Sequence, residues 1–197
     1  MDNATHTLNR PAPGTIDLLL SRRSGSAKAM TGPGPSAEEL RTILTAAARV
    51  PDHGKLFPWR FILFEGDARA RFGELLAECL TATEPVTEER LAMERGRFLR
   101  APVVIAVISR VREGIPIPVW EQQLSAGAAC QTMLIAATSL GYVANWITEW
   151  PAYNPLVSER LCLQPGERIA GCIYIGKPAM PLEERLRPDL DKLVTRF

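Results

Sequence analysis

Apolar residues along this chain follow two different periods. Three short, dense runs are rich in branched and aromatic side chains: Trp59-Arg-Phe-Ile-Leu-Phe-Glu, Pro102-Val-Val-Ile-Ala-Val-Ile-Ser and Ile169-Ala-Gly-Cys-Ile-Tyr-Ile-Gly. The first alternates and reads as a strand. The other two are apolar at nearly every position, which predicts strands buried on both faces. A shorter strand is expected over residues 142–148, and the last six residues, 192–197, have the pattern of a final one.

Between these runs the period lengthens to that of a helix. Ser36-Ala-Glu-Glu opens one as a capping box, Ser36 with Glu39. Leu40, Ile43, Leu44 and Ala47 then recur at i, i+3, i+4 and i+7, and Pro51 disfavours helical geometry in the residue before it. Residues 16–23 predict a short first helix with a basic end. Residues 67–83 and 87–100 predict two more, separated by Pro85. The longest helical stretch covers residues 120–140, where Ala126, Gly127, Ala128 and Ala129 allow close backbone approach. It is apolar nearly all round and therefore central. Asn154-Pro155 supplies a cap and first-turn proline for a helix through Leu161, and residues 178–188 read as extended. Strands and helices mix without strict alternation, which favours an α+β fold over a doubly wound parallel sheet.

Composition narrows the function classes. The 197 residues suit a polar tail over 1–14 followed by one domain over 15–197. With 23 basic and 22 acidic side chains there is no basic excess of the kind a nucleic-acid binder gathers on one face. Cys79, Cys130, Cys162 and Cys172 form no C-x-x-C, and only His6 and His53 are available, so no zinc-ligand spacing arises. The thiols are expected reduced and mostly buried. Residues 1–14 lack a basic region followed by an apolar run, so they do not read as a signal peptide. No apolar stretch approaches the roughly 20 residues of a membrane helix. The expectation is a cytoplasmic protein without a metal, a membrane or a nucleic-acid partner.

No G-x-S-x-G elbow, P-loop or G-x-G-x-x-G is present. Thr31-Gly-Pro-Gly-Pro is no phosphate loop, because its prolines lack the N–H groups a cradle requires. Asp52-His53 is the one His–carboxylate neighbourhood in the folded part. No nucleophile accompanies it, which leaves little for an acid–base hydrolase around His53. A chain of this size without a catalytic residue set of its own points to chemistry carried by a cofactor. Two basic clusters, Arg22-Arg23-Ser24 and Arg49-x-x-x-His53, stand where a helix gives way to a loop, and neither is followed by acidic compensation. Guanidinium forks with a hydroxyl suit a phosphate. A solvated basic helix end, favoured by the macrodipole, is the alternative. Lys28 is a further candidate cation.

At these residues the chain resembles the nitroreductase family, particularly its short branch. Arg22-Arg23-Ser24 follows an amphipathic helix, and Ala48-Arg49-Val50-Pro51-Asp52-His53 leads to Pro58-Trp59-Arg60-Phe61. Trp120-Glu-Gln-Gln-Leu-Ser-Ala-Gly opens the central helix, residues 136–141 lead to Trp146-Ile147-Thr148, and Ile173-Tyr-Ile-Gly-Lys-Pro follows. The likeness covers nearly everything from Ile16 to Phe197. It implies a mostly antiparallel sheet flanked by helices, FMN as cofactor, NAD(P)H as co-substrate, and a homodimer with a flavin at each half of its interface. Arg22, Arg23 and Ser24 would grip the FMN phosphate and the polar ring edge. Arg49 and His53 would reach FMN from the partner subunit, and Trp146, Ile147 and Thr148 would line the flavin. Ala136, Ala137, Thr138, Ser139, Leu140 and Gly141 match a segment implicated in nicotinamide dinucleotide binding, though as a helix end they also read as structural. Lys55 stands where many relatives carry Asn, and Ser26 where many carry Arg. The resemblance thus implies hydride transfer by a ping-pong route to nitroaromatics, quinones or a related acceptor. A flavin-dependent dehydrogenase or dehalogenase on the same fold, or a flavin-binding sensor without turnover, are the competing readings.

Overall fold

A computed structural model describes residues 8–197; His6 and residues 1–7 of the expected tail lie outside them. The six helices are α1 (Gly14–Ser21), α2 (Ala37–Ala47), α3 (Ala68–Thr81), α4 (Glu88–Arg95), α5 (Val119–Ser139) and α6 (Pro155–Arg160). The five strands are β1 (Met30–Thr31), β2 (Trp59–Glu65), β3 (Val103–Arg110), β4 (Val143–Ile147) and β5 (Glu167–Pro178). All strand pairings among the described residues are antiparallel, so the fold is α+β with an antiparallel sheet.

β5 is the axis of the sheet. β3 lies along one edge of it with β2 beyond, while β4 and then β1 share the other edge. The apolar runs explain themselves once both faces are covered. Val103, Ile105 and Val107 of β3 join Ile173 and Ile175 of β5 on the face packed by α2 and α5, against Ile43, Cys130 and Met133. Val104, Ala106 and Ile108 join Cys172 and Tyr174 on the opposite face, against Phe72, Leu76 and Cys79 of α3. Side chains alternate across a strand, so two covered faces demand apolar residues at every position. Phe98 extends that second core, with ring centroids 4.5 Å from Phe72 and 5.7 Å from Tyr174.

The register slips once. Val107 faces Gly171 but Ile108 faces Ile169, which leaves Ala170 as an extra residue in β5. Such a bulge bends the strand and turns one peptide out of the ladder.

α5 spans 21 residues, about 30 Å at ~1.5 Å per residue. Its start is held by the buried Gln122 side chain. The Gln122 amide accepts from the Arg112 N–H at 2.8 Å and donates to the carbonyls of Arg112 and Ile117 at 2.9 and 3.0 Å. Its end is closed by Gly141 at φ +79, a left-handed position that glycine occupies without strain. The capping box of α2 forms as expected, and Glu39 also accepts from the Tyr142 hydroxyl at 3.0 Å, joining α2 to the entry of β4.

Three expectations need correction. The helix expected over 87–100 ends at Arg95. Gly96 caps it, and a 3-10 turn, Arg97–Arg100, carries the chain to Ala101, which Pro102 keeps extended. Residues 192–197 form no strand. A 3-10 turn, Leu190–Lys192, runs into them, and Leu193, Val194 and Phe197 are exposed and paired with no strand among the described residues. α1 stops at Ser21, so Arg22 is its C-cap with ψ 130 and Arg23 lies beyond the helix. Of the thiols, Cys79, Cys130 and Cys172 are buried and Cys162 is exposed, all free. No helix among the described residues is long and apolar enough to cross a membrane.

The α3–α4 contact offers a direct check. A methyl group at Gly73 would sit 2.1 Å from the Arg95 carbonyl oxygen, whereas one at Gly14 would meet nothing within 4 Å. Gly73→Ala should therefore lower stability by about 1–3 kcal/mol or more, the usual range for overpacking. Gly14→Ala should be neutral or slightly stabilising, and urea unfolding midpoints compare the two.

Candidate functional site

The Arg22–Ser24 cluster sits in an extended stretch between α1 and a 3-10 turn, Ala27–Ala29. The next residue, Gly25, is buried against β4. Its carbonyl accepts a 2.6 Å hydrogen bond from the Asn145 side chain, and a Cβ there would lie 2.8 Å from Val143. Asn145 thus binds the basic loop to β4, one residue before Trp146. Sequence reasoning missed Asn145, because a lone Asn in a short strand carries no signal until its partner is known.

The two arginines differ in their surroundings. Arg23 donates to the Glu183 carbonyl at 2.7 Å and lies 3.6 Å from the Glu184 carboxylate. The expected lack of acidic compensation is corrected here, since the C-terminal segment returns across the loop and supplies it. Arg22 is half-buried, and its one side-chain hydrogen bond among the described residues goes to the Ser24 hydroxyl at 3.4 Å. Its guanidinium has no carboxylate partner there. Beside Arg23 and Ser24 is a cavity of about 490 Å³, bounded also by Gly25, Met180 and Leu182. A half-buried cation with an adjacent hydroxyl at such a recess can hold a phosphate-sized anion. Lys28 is exposed on the same loop.

Trp146 follows on β4. Its indole crosses to β5, where the N–H donates to the carbonyl of the bulged Ala170 at 3.0 Å. The ring occupies the space a side chain at Gly171 would need, since a Cβ there would fall 1.9 Å from Nε1. Yet 38% of Trp146 stays exposed, so one aromatic face is both anchored and open. Ile147 is half-buried against the α3-side core, and Thr148 is half-buried beyond the end of the strand. A second cavity, of about 700 Å³, opens at Ala170 and is bounded by Ser109, Gln123, Tyr153, Arg168 and Ile169.

The turn after Thr148 is fastened from α4 and the 3-10 turn that follows it. Glu149 has φ 43 and ψ −179, a left-handed conformation that strains any residue with a Cβ, by about 1–3 kcal/mol. Its carboxylate meets Arg97 Nη1 as an ion pair and lies 3.4 Å from Arg100. Arg97 in turn grips Glu94 through Nε at 2.5 Å and Nη2 at 2.7 Å. The Glu94 carboxylate, fully buried, also accepts from Trp150 Nε1 at 3.0 Å and Arg90 at 3.0 Å. Burial alone would raise the Glu94 carboxyl, but the bonds from Arg97 and Trp150 outweigh it and hold it below its ordinary value. Cys172, beneath this turn, is pushed up to about 12 by burial, so it stays a protonated thiol.

Arg49 and His53 lie elsewhere in the chain. Arg49 is exposed just past α2, and His53 Nδ1 lies 2.7 Å from the Glu121 carboxylate at the start of α5. That pairing corrects the expectation that Asp52 is the only carboxylate near His53. Asp52 is turned away, accepting from the N–H groups of Leu56 and Phe57 at 3.1 and 2.9 Å. Ser125 clamps this loop to α5, accepting from Trp59 Nε1 at 3.1 Å and donating to the Pro51 carbonyl at 2.7 Å. Lys55, at φ 55, is exposed on the same turn. Within one chain, then, the loop of Arg22, Arg23 and Ser24 is tied to the strand that carries Trp146 and Ile147, with Thr148 just beyond it, while Arg49 and His53 lie on the loop after α2.

Residues 136–141 make the end of α5. Thr138 and Ser139 donate their hydroxyls to Leu134 and Ala136 carbonyls, Ala137 is buried, and Gly141 reverses the chain. Lys177 donates to the Gly141 carbonyl at 2.7 Å and lies over the Tyr142 ring. The hydroxyls are engaged with the helix itself, and the negative end of its dipole faces outward.

The chain is similar to known proteins. The model of the "Nitroreductase family" matches residues 19–177. The Escherichia coli (strain K12) protein named "Putative NAD(P)H nitroreductase YdjA" is 33% identical over 183 residues, 92% of this chain and 98% of its own. A nitroreductase-like family protein from Bacillus cereus superposes with a TM-score of 0.78 at 23% identity, over 95% of this chain and 98% of that one. A protein from Desulfovibrio desulfuricans named "putative nitroreductase", solved in complex with FMN, gives a TM-score of 0.71 at 27% identity, over 95% and 98%.

The seat of Trp146 can be tested without any ligand. Gly171→Ala should expel the indole from Ala170. Its near-UV circular dichroism should then move toward that of Trp146→Phe, and an unchanged spectrum would refute the tight fit.

Proposed function

Because the chain belongs to the nitroreductase family, we propose that it is an FMN-dependent oxidoreductase that takes hydride from NAD(P)H and passes it to a nitroaromatic, a quinone or a related electron-poor acceptor. The observation that carries this reading is the Asn145–Gly25 bond, which ties the loop of Arg22, a cation with no carboxylate partner among the described residues, to the strand that presents the exposed and anchored Trp146. The donor set fits the cofactor. A guanidinium and a hydroxyl at a recess suit a single terminal phosphate, and an anchored aromatic face suits a flat ring. When bound, FMN supplies the two-electron chemistry, so the chain needs no nucleophile or acid–base pair of its own.

In this reading Arg22 and Ser24 bind the phosphate. Arg23, engaged by Glu183 and Glu184, shapes the recess more than it binds. Trp146, Ile147 and Thr148 orient the ring. The cavity at Ala170 gives an acceptor room beside it, and its open mouth is consistent with donor and acceptor using one face in turn, by a ping-pong route. Residues 136–141 are given no dinucleotide contact.

Arg49 and His53 belong to the site through a homodimer, each subunit supplying them to the flavin of the other. Support comes from the apolar surface the chain leaves open: Ile16, Leu19 and Leu20 of α1, with Trp120 and Leu124 of α5. Such faces are what permanent partners cover, over more than roughly 2,000 Å².

Purified protein should be yellow, and heating should release FMN. Colourless protein that takes up no added FMN would sink the reading. Arg22→Ala should weaken FMN binding by about 2–3 kcal/mol, the scale of a charge-assisted bond. Arg49→Ala should do likewise and Arg112→Ala should do little. Equal, small effects for all three would mean that the charges are merely solvated.

Sedimentation at micromolar protein should show a dimer. A monomer that keeps its flavin would refute the shared site.

A further inference from the structure

A strained residue needs something to hold it, and Glu149 is held by charge. At φ 43 and ψ −179 its backbone occupies a region that glycine enters freely and glutamate does not. It comes immediately after residues 146–148. Its carboxylate ends a chain of alternating charges, Arg90 to Glu94 to Arg97 to Glu149, with Arg100 alongside. Glu94 and Arg97 are almost wholly buried, and Arg97 uses its Nε–Nη2 edge on Glu94, leaving Nη1 for Glu149. The next residue, Trp150, is tied to the same Glu94. Two successive residues are thus fixed to one buried carboxylate, one directly and one through Arg97.

The ordinary explanation for such a network is stability. Buried ion pairs are poor at that, because desolvating the charges offsets their attraction, and an apolar set of the same volume often does as well. The same turn could also have been made without strain by glycine at position 149. A fully buried carboxylate and a strained glutamate together make sense if the geometry of the turn is what the network secures.

We infer that Arg97 and Glu149 are positioning residues: their ion pair, braced by Glu94, sets the turn at residues 148–150 and through it the segment of residues 146–148 against which the flavin lies. The inference rests on the proposed function for the flavin and on the geometry alone for the turn. Neither residue takes part in chemistry. Arg97 acts through Glu149, and Glu149 through the backbone it holds.

Substitutions at 149 separate conformation from charge. Glu149→Ala removes the ion pair and keeps a Cβ in the strained region. Glu149→Gly removes the ion pair and also removes the strain. Both lose the same contact with Arg97, so a purely stabilising pair predicts similar flavin binding for the two, whatever the strain left in Glu149→Ala does to its melting temperature. Positioning predicts a split. FMN affinity of the holoprotein, followed by flavin fluorescence on dilution, should fall about tenfold or more in Glu149→Ala and return to within about threefold of wild type in Glu149→Gly. Hydrogen exchange at residues 147–150 should quicken in Glu149→Ala beyond Glu149→Gly. Equal affinities in the two variants would overturn the inference. Wild-type protein that holds no FMN would overturn the proposed function and the flavin half of the inference with it, while hydrogen exchange would still decide whether the ion pair governs the turn.

Discussion

The pairing of β5 with strands on both of its edges fixes where everything else stands. β3 needs β5 to cover its second edge, and β4 has no other partner among the described strands. The basic loop is bound to β4 through Asn145 and Val143. The bulge at Ala170 frees the carbonyl that receives the Trp146 indole. A one-residue slip between β4 and β5 would send every side chain of β4 to the opposite face. Trp146 would turn into the core, and the basic loop would lose its tether. Register here is therefore a property of the site as much as of the fold.

The two faces of the sheet serve different ends. On the α2–α5 face, Ala126, Ala129 and Ala137 let the long helix lie close. The α3 face is bulkier and carries the buried charges between α4 and the turn after β4. Arg97 reaches Glu149 because Gly96 ends α4 early and the 3-10 turn swings the chain inward. Had the helix continued to Arg100, as its composition suggests, the arginines would have followed its helical spacing.

Much of this architecture is readable from local pattern. β3 shows itself as a run with no polar residue before Ser109, because both faces are covered. α2 announces its start through Ser36 and Glu39, and α5 its centrality through small residues. Arg22-Arg23-Ser24 and Trp146 are visible as candidates for the same reason, since their signals lie in neighbouring residues. What is not readable depends on pairing across the chain. Asn145 with Gly25, Arg97 with Glu149, His53 with Glu121 and Arg23 with Glu184 join residues far apart in sequence, and no periodicity connects them. The final strand expected at 192–197 is the converse case. A strand needs an edge to pair with, and among the described residues this segment pairs with none.

The Trp146–Gly171 contact carries a consequence for how such a sequence can change. The indole fills the volume that any side chain at 171 would claim, and its N–H uses the carbonyl next door. The two positions therefore vary as one unit: a side chain gained at 171 is tolerated only with a smaller residue already at 146, and in that order. A lineage that takes the first step, shrinking position 146, trades the fixed aromatic wall for a wider cleft. It reaches new ligands by widening before it reaches them by adding contacts.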